Sequence, residues 1–189
     1  MGPVAFMENG FWVFGYGSLV WQPGFEFSER HVARLEGYAR SFCMWSIHHR
    51  GTEDDPGLVL ALDAHEGTFC DGVAFFVPPE TAMETICYLR ERELISSAYL
   101  EEVHPITLRD GRKVDSYCYV IDRDHVQYCG GMELERQAQV ISKAVGGRGP
   151  NTEYLYNTAE HLAEIGLRDA DLDWLSARVR ELTAERSAG

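Results

Sequence analysis

Phe11-Trp12-Val13-Phe14-Gly15-Tyr16-Gly17-Ser18-Leu19-Val20 is the stretch on which the reading of this chain turns. Four apolar residues, three of them aromatic, predict a short buried strand, and Gly-Tyr-Gly-Ser ends it abruptly. Glycine has no Cβ, so the backbone is free to take φ > 0 and bring N–H groups close to a ligand. Successive N–H groups aimed into a concavity suit a carboxylate or a phosphate. The same residues also make an ordinary tight turn, and spacing alone leaves both readings open. A dinucleotide fingerprint is excluded because Val20 stands where its third glycine belongs, and no Gly-Lys-Ser/Thr follows to make a phosphate-binding P-loop. Val20 also denies Ser18 the Gly-x-Ser-x-Gly setting of a hydrolase nucleophile.

Outward from that stretch, 189 residues suit one domain spanning 1–189, with residues 1–10 as a loose leader. Seventeen basic residues against 30 acidic ones give a net charge of −13, which argues against a nucleic-acid or anionic-membrane surface. The 5 cysteines include no C-x-x-C pair, so reduced thiols of a cytoplasmic protein are expected rather than a disulfide framework or zinc ribbon. The first ten residues lack the basic and long apolar regions of a signal peptide, and no apolar run is long enough for a membrane span.

Taken in order, His31–Trp45 predicts strands broken at Gly37, and Leu58–Leu62 and Cys70–Val77 predict two more. Pro78-Pro79-Glu80 opens a helix with Ala82, Ile86 and Leu89 on its apolar stripe. Continued at the same spacing, that stripe reaches Glu93, while Glu80, Glu84 and Glu91 lie opposite. A carboxylate on an inward face needs partners or a task; the alternative is a frayed helix end that releases Glu93 to solvent. Ser97–Thr107 and Lys113–Ile121 read as a hairpin around Asp110-Gly111-Arg112. Three helices are expected to follow. The first is Met132–Val145, with Leu134, Ala138, Ile141 and Val145 inward. The second is capped by Asn151 or Thr152 and ends at Gly166; the third is capped by Asp169. Strands first and helices last make the class α+β.

The glycine stretch resembles the signature of γ-glutamylcyclotransferases, and more narrowly of the ChaC-like branch that acts on glutathione. Phe14-Gly15-Tyr16-Gly17-Ser18-Leu19, with Trp21 just after it, carries that likeness. His49-Arg50-Gly51 is similar to the family's Asp/His-His-Arg-Gly stretch. Tyr88-Leu89-Arg90-Glu91-Arg92-Glu93 resembles the helix-end motif Tyr-Leu-x-x-Arg-Glu. Gly149-Pro150-Asn151-Thr152-Glu153-Tyr154-Leu155 resembles the late Gly-x-Asn-Thr-Glu-Tyr-Leu motif. The four stretches occur in the family's order. One departure stands out: the family's Gly-Gly-Tyr after the catalytic glutamate is replaced by Leu94-Ile95-Ser96-Ser97-Ala98-Tyr99.

The resemblance implies a small mixed β-barrel with surrounding helices and conversion of glutathione to 5-oxoproline and Cys-Gly. It implies Glu93 as acid/base, with a pKa raised by a partly apolar setting. It places substrate contacts at Tyr16, Gly17, Ser18, Leu19, Arg50, Tyr99, Glu153 and Tyr154, with Asn151 structural. No metal, nucleotide or other cofactor is implied, because nucleophile and electrophile belong to one substrate molecule. Two other readings follow from the same residues. One is lactam formation from other γ-glutamyl amines, suggested by the altered loop. The other is a non-catalytic module that keeps only the Gly17–Leu19 anion site. Adjacent His48 and His49 on a strand would face opposite sides, so a shared metal is not expected. Glu101-Glu102 and Arg178–Arg186 read as solvated surface, and the cysteines as small buried hydrophobes.

Overall fold

The structure is a computed structural model, and it describes residues 8–189. Most of the expected leader therefore lies outside the described residues; Glu8 and Asn9 are helical and Gly10 is buried. The elements in order are β1 (Phe11–Gly15), α1 (Ser18–Trp21), β2 (Glu29–Ser46), β3 (Gly57–Val77), a 3-10 turn (Pro79–Thr81) and α2 (Ala82–Glu93). They continue as β4 (Tyr99–Leu108), β5 (Lys113–Ile121), α3 (Leu134–Ile141), β6 (Val145–Gly146), β7 (Gly149–Pro150), α4 (Asn151–Glu164) and α5 (Ala170–Ser187).

The first five strands close a barrel in the order β1-β3-β2-β4-β5. It is mixed: β1 runs antiparallel to β3, with Phe11 opposite Val77, and parallel to β5, with Val13 opposite Tyr117. The expected small mixed barrel with helices, in an α+β chain, is what forms. Two strands are longer than the sequence suggested. Gly37 (φ +82°) and Gly67 (φ +81°) lie inside β2 and β3, not between shorter strands. A glycine at positive φ is common where a strand is kinked, so a break in the apolar pattern need not end the ladder.

Contacts group the chain into two compact units. The first comprises the described residues up to Arg40 together with Leu62–Val126. Its core joins Phe11, Val13, Leu19, Val77, Ala82, Ile86, Leu89, Tyr117 and Tyr119, so the α2 stripe faces inward as predicted. Burying each such Leu or Ile side chain is worth about 1.5–3 kcal/mol. The β4–β5 hairpin closes over Arg109–Gly111: Leu108 N–H donates to Arg112 C=O at 2.8 Å, with Gly111 at φ +94°.

The second unit comprises Ser41–Ala61 and Gln127–Gly189. Asp169 caps α5 as expected, its Oδ1 accepting from Leu172 N–H at 3.1 Å. The helix expected over 132–145 is shorter and stops at Ile141. Val145 is exposed and instead pairs across the tight β6–β7 hairpin formed by the glycine-rich run. Neither Asn151 nor Thr152 caps α4, whose cap position is Pro150. The Asn151 side chain turns inward, where Oδ1 accepts from Leu58 N–H and Nδ2 donates to Leu58 C=O. The basic run near the C-terminus is not simply solvated: Arg178 forks onto Glu135 of α3, and Arg186 donates to Ser142.

Candidate active site

The predicted site residues fall into two clusters, one in each unit. In the first unit, β1 delivers the chain into the glycine turn, where Tyr16 and Gly17 are buried and α1 begins at Ser18. The first N–H groups of a helix have no acceptor within it. Here the ring is closed only further on, by Val20 N–H to Gly17 C=O at 3.0 Å and Gln22 N–H to Ser18 C=O at 2.8 Å. Arg40 of β2 fastens the turn from its side: Nε donates to Tyr16 C=O at 2.7 Å and Nη2 to Asp71 C=O.

Glu93 is the last residue of α2, and its side chain is 13 % exposed. The frayed-end alternative does not occur: Leu94 N–H donates to Arg90 C=O at 3.0 Å, which keeps the helix regular to its end. Glu93 Oε1 lies 3.3 Å from Arg92 Nε, and Arg92 Nη2 donates to Ser18 Oγ at 2.9 Å. Glu93 and the glycine turn are thus brought to one guanidinium. Tyr99 packs, partly buried, against the same core. Between Glu93 and Tyr99, Ser97 has φ +59°, and among the described residues it is the only non-glycine in the left-handed region.

A second network flanks Glu93. Tyr119 Oη donates to Glu101 Oε2 at 3.1 Å, and Arg90 grips the same carboxylate through Nε at 3.1 Å and Nη2 at 2.9 Å. Burial pushes the Tyr119 phenol far up, and the charges of Glu101 and Glu93 add to that, so it remains a proton donor. Tyr117 is also raised, first by burial and then by Glu101. Glu101 is therefore not the solvated residue its sequence neighbourhood suggested.

Arg92, Glu101 and Tyr119 were not among the site residues read from sequence. Arg92 had a signal, since it lies within the helix-end motif. Glu101 and Tyr119 had none, because their facing depends on the hairpin register, which pairs Glu101 with Tyr119.

In the second unit, Arg50 is buried. Its Nη1 donates to Pro150 C=O at 3.1 Å and lies 3.7 Å from Glu153 Oε2. Its guanidinium also stands 5.8 Å over the Tyr154 ring, while the Tyr154 hydroxyl accepts from Leu60 N–H at 3.1 Å. Arg50, Glu153 and Tyr154 are thus brought together, with Arg50 Nη1 and the Tyr154 hydroxyl hydrogen-bonded inside the unit. Among the described residues no group of three or more His, Cys, Asp or Glu could hold a metal ion, and His48 and His49 are exposed.

A glycine turn and a sheltered carboxylate sharing one guanidinium are suited to binding an anionic substrate and moving its protons. A family model described as "ChaC-like protein" matches residues 11–182, which run through both units. The chain belongs to the ChaC-like family.

Among ChaC-like relatives, the chain is 36% identical over 178 residues to the glutathione-specific γ-glutamylcyclotransferase of Escherichia coli K12, covering 94% of this chain and 76% of that protein. It is 35% identical to γ-glutamylcyclotransferase 2-3 of Arabidopsis thaliana over 92% of this chain and 90% of that one. The solved structure of the yeast γ-glutamyl cyclotransferase specific to glutathione superposes with a TM-score of 0.84 at 25% identity, covering 92% of this chain and 96% of that one. These matches extend the ChaC-like assignment over nearly the whole chain.

Proposed function

We propose that this chain is a glutathione-specific γ-glutamylcyclotransferase acting as a single domain in the cytoplasm, with Glu93 as its acid/base. The observation that carries this reading is the Glu93 carboxylate, sheltered at the end of α2 and tied through Arg92 to Ser18 of the glycine turn. The free α-amine of the γ-glutamyl group attacks its own γ-carbonyl carbon, the new C–N bond closes a five-membered lactam, and the old amide C–N bond breaks. The products are 5-oxoproline and Cys-Gly. Glu93 takes the proton the amine loses and returns one to the departing cysteine nitrogen, so protons balance with no cofactor. Because both reacting groups sit on one molecule, the protein mainly holds them in a folded, near-attack geometry.

The Gly17, Ser18 and Leu19 amides bind the α-carboxylate or the carbonyl oxygen as charge develops on it. Tyr16 and Tyr99 bound the substrate. Arg50, Glu153 and Tyr154 form a secondary contact region, in which the half-exposed Glu153 carboxylate is the group most open to a ligand.

A second reading is favoured by one feature, the loop after Glu93, in which left-handed Ser97 stands within a glycine-free segment. On that reading the same lactam chemistry serves other γ-glutamyl amines. The test is release of 5-oxoproline from glutathione and from γ-glutamyl-alanine by wild type and Glu93→Gln. Turnover of glutathione that falls by about 100- to 10,000-fold in the variant is the expected result. Turnover of γ-glutamyl-alanine alone selects the second reading, and no turnover of either defeats both.

A further inference from the structure

Arg92 directly precedes Glu93, yet neighbouring positions on a helix do not face each other. Its side chain is 9 % exposed and is nevertheless charged, so it needs partners. It has them on two elements. Nη1 donates to Gln22 C=O at 2.6 Å, to Pro23 C=O at 3.1 Å and to Tyr88 Oη at 3.1 Å. Nη2 donates to Ser18 Oγ at 2.9 Å, and Nε faces Glu93 Oε1 at 3.3 Å.

The helix on which Ser18 sits is a single turn, too short to hold its own orientation. A planar, permanently charged fork is suited to fixing several acceptors at once, which a lysine's point charge is not. Its hydrogen bonds, being charge-assisted, are about twice as strong as neutral ones. Because Ser18 Oγ accepts from Arg92, its own proton is left to donate elsewhere.

We propose that Arg92 is a positioning residue, holding the Ser18–Pro23 turn and the Glu93 carboxylate in one frame so that the turn's amides and the acid/base keep a fixed separation during lactam closure. The catalytic half of this inference rests on the functional reading above; the mechanical half does not. Loss of the frame misplaces the turn's amides against the acid/base, so it lowers kcat.

The experiment compares wild type, Arg92→Ala and Arg92→Lys by two readouts: 5-oxoproline release from glutathione, and hydrogen exchange of the amides over residues 18–24. Arg92→Ala is expected to lose about 100-fold in kcat, the scale of an ångström-sized misplacement. Its exchange over 18–24 speeds up, and millimolar guanidinium ion, unlike equal ammonium, restores both. Arg92→Lys keeps the charge without the fork, falls between, and carries the test if Arg92→Ala does not fold. Wild-type kcat in either variant, or unchanged exchange, overturns the inference. Absence of turnover by wild type defeats the functional reading instead, while the exchange result still decides whether Arg92 holds the frame.

Discussion

The Asn151 carboxamide takes the place of a neighbouring strand for Leu58. It accepts from the Leu58 N–H and donates to the Leu58 C=O, each at 2.8 Å, and both residues are 0 % exposed. Removing the carboxamide strands two buried backbone groups, each costing about 1–3 kcal/mol when left unpaired. Asn151→Ala is therefore expected to lower unfolding free energy by about 2–5 kcal/mol. Asn151→Asp, which has no donor for the Leu58 carbonyl, is expected to lose a comparable amount. Urea unfolding of the two variants checks this, and a wild-type midpoint in both would remove the role given to Asn151.

Stability is expected to fall on the alkaline side. The Cys118 thiol is pushed up from 9.0 to about 12, chiefly by burial. The Tyr38 phenol is pushed up from 10.0 to about 12 by burial and then by Glu102, to which it donates at 3.2 Å; His104 Nε2 also lies 3.1 Å from it. Tyr119 is raised as well. In each case the folded state holds its proton more tightly than the unfolded chain. That stability is complete below the unfolded pKa and is lost as pH rises from about 9 through 12. Denaturant midpoints at about pH 8 and about pH 11 test the sign, and Tyr38→Phe should flatten the decline.

Ser97→Gly should stabilise the fold. Left-handed backbone costs a non-glycine residue about 1–2 kcal/mol, and glycine's extra freedom in the unfolded chain returns about 0.4–1 kcal/mol of that. The net gain is about 0.5–1 kcal/mol, visible as a higher melting temperature, whereas Ser97→Val should melt lower.

Tyr119→Phe removes a single hydroxyl that donates to Glu101. A hydrogen bond to a charged group is worth about 1.5–3 kcal/mol, and Glu101 keeps Arg90, so a loss near the lower figure is expected. Glu101→Gln should cost more, because Arg90 and Tyr119 both lose the carboxylate. A thermal scan that orders the two variants the other way would show that Tyr119, not Glu101, anchors this network.

Much of this was legible from local pattern. The β1 strand, the α2 stripe ending at Glu93, the Asp169 cap and the β4–β5 hairpin each follow from periodicity or turn chemistry acting over a few residues. What escaped is what depends on register and distance. The Asp110-Gly111 step marks a hairpin but not its loop length. A two-residue loop would place Arg109 opposite Arg112, whereas the actual register sets Thr107 opposite Lys113 and Glu101 opposite Tyr119. One residue of slip exchanges the faces, and with them which of Glu101 and Glu102 meets Arg90. Arg92 was visible as a motif letter, but its partners at Ser18, Gln22 and Pro23 lie about 70 positions away, beyond any local pattern. The seam of α3 was overextended because Val145 keeps helical spacing while the glycines behind it impose a hairpin.

The disposition of the cysteines bears on the proposed use of a thiol substrate. Cys43, Cys70 and Cys118 are buried, and none of the five cysteines, all of them among the described residues, is joined in a disulfide. Thiol–disulfide exchange requires an accessible thiolate. Cys118, enclosed and held protonated, offers none near neutral pH. A disulfide reagent such as oxidised glutathione therefore finds no reactive sulfur in its core, and exposed Cys87 on α2 is where mixed disulfides or alkylating reagents should attach first.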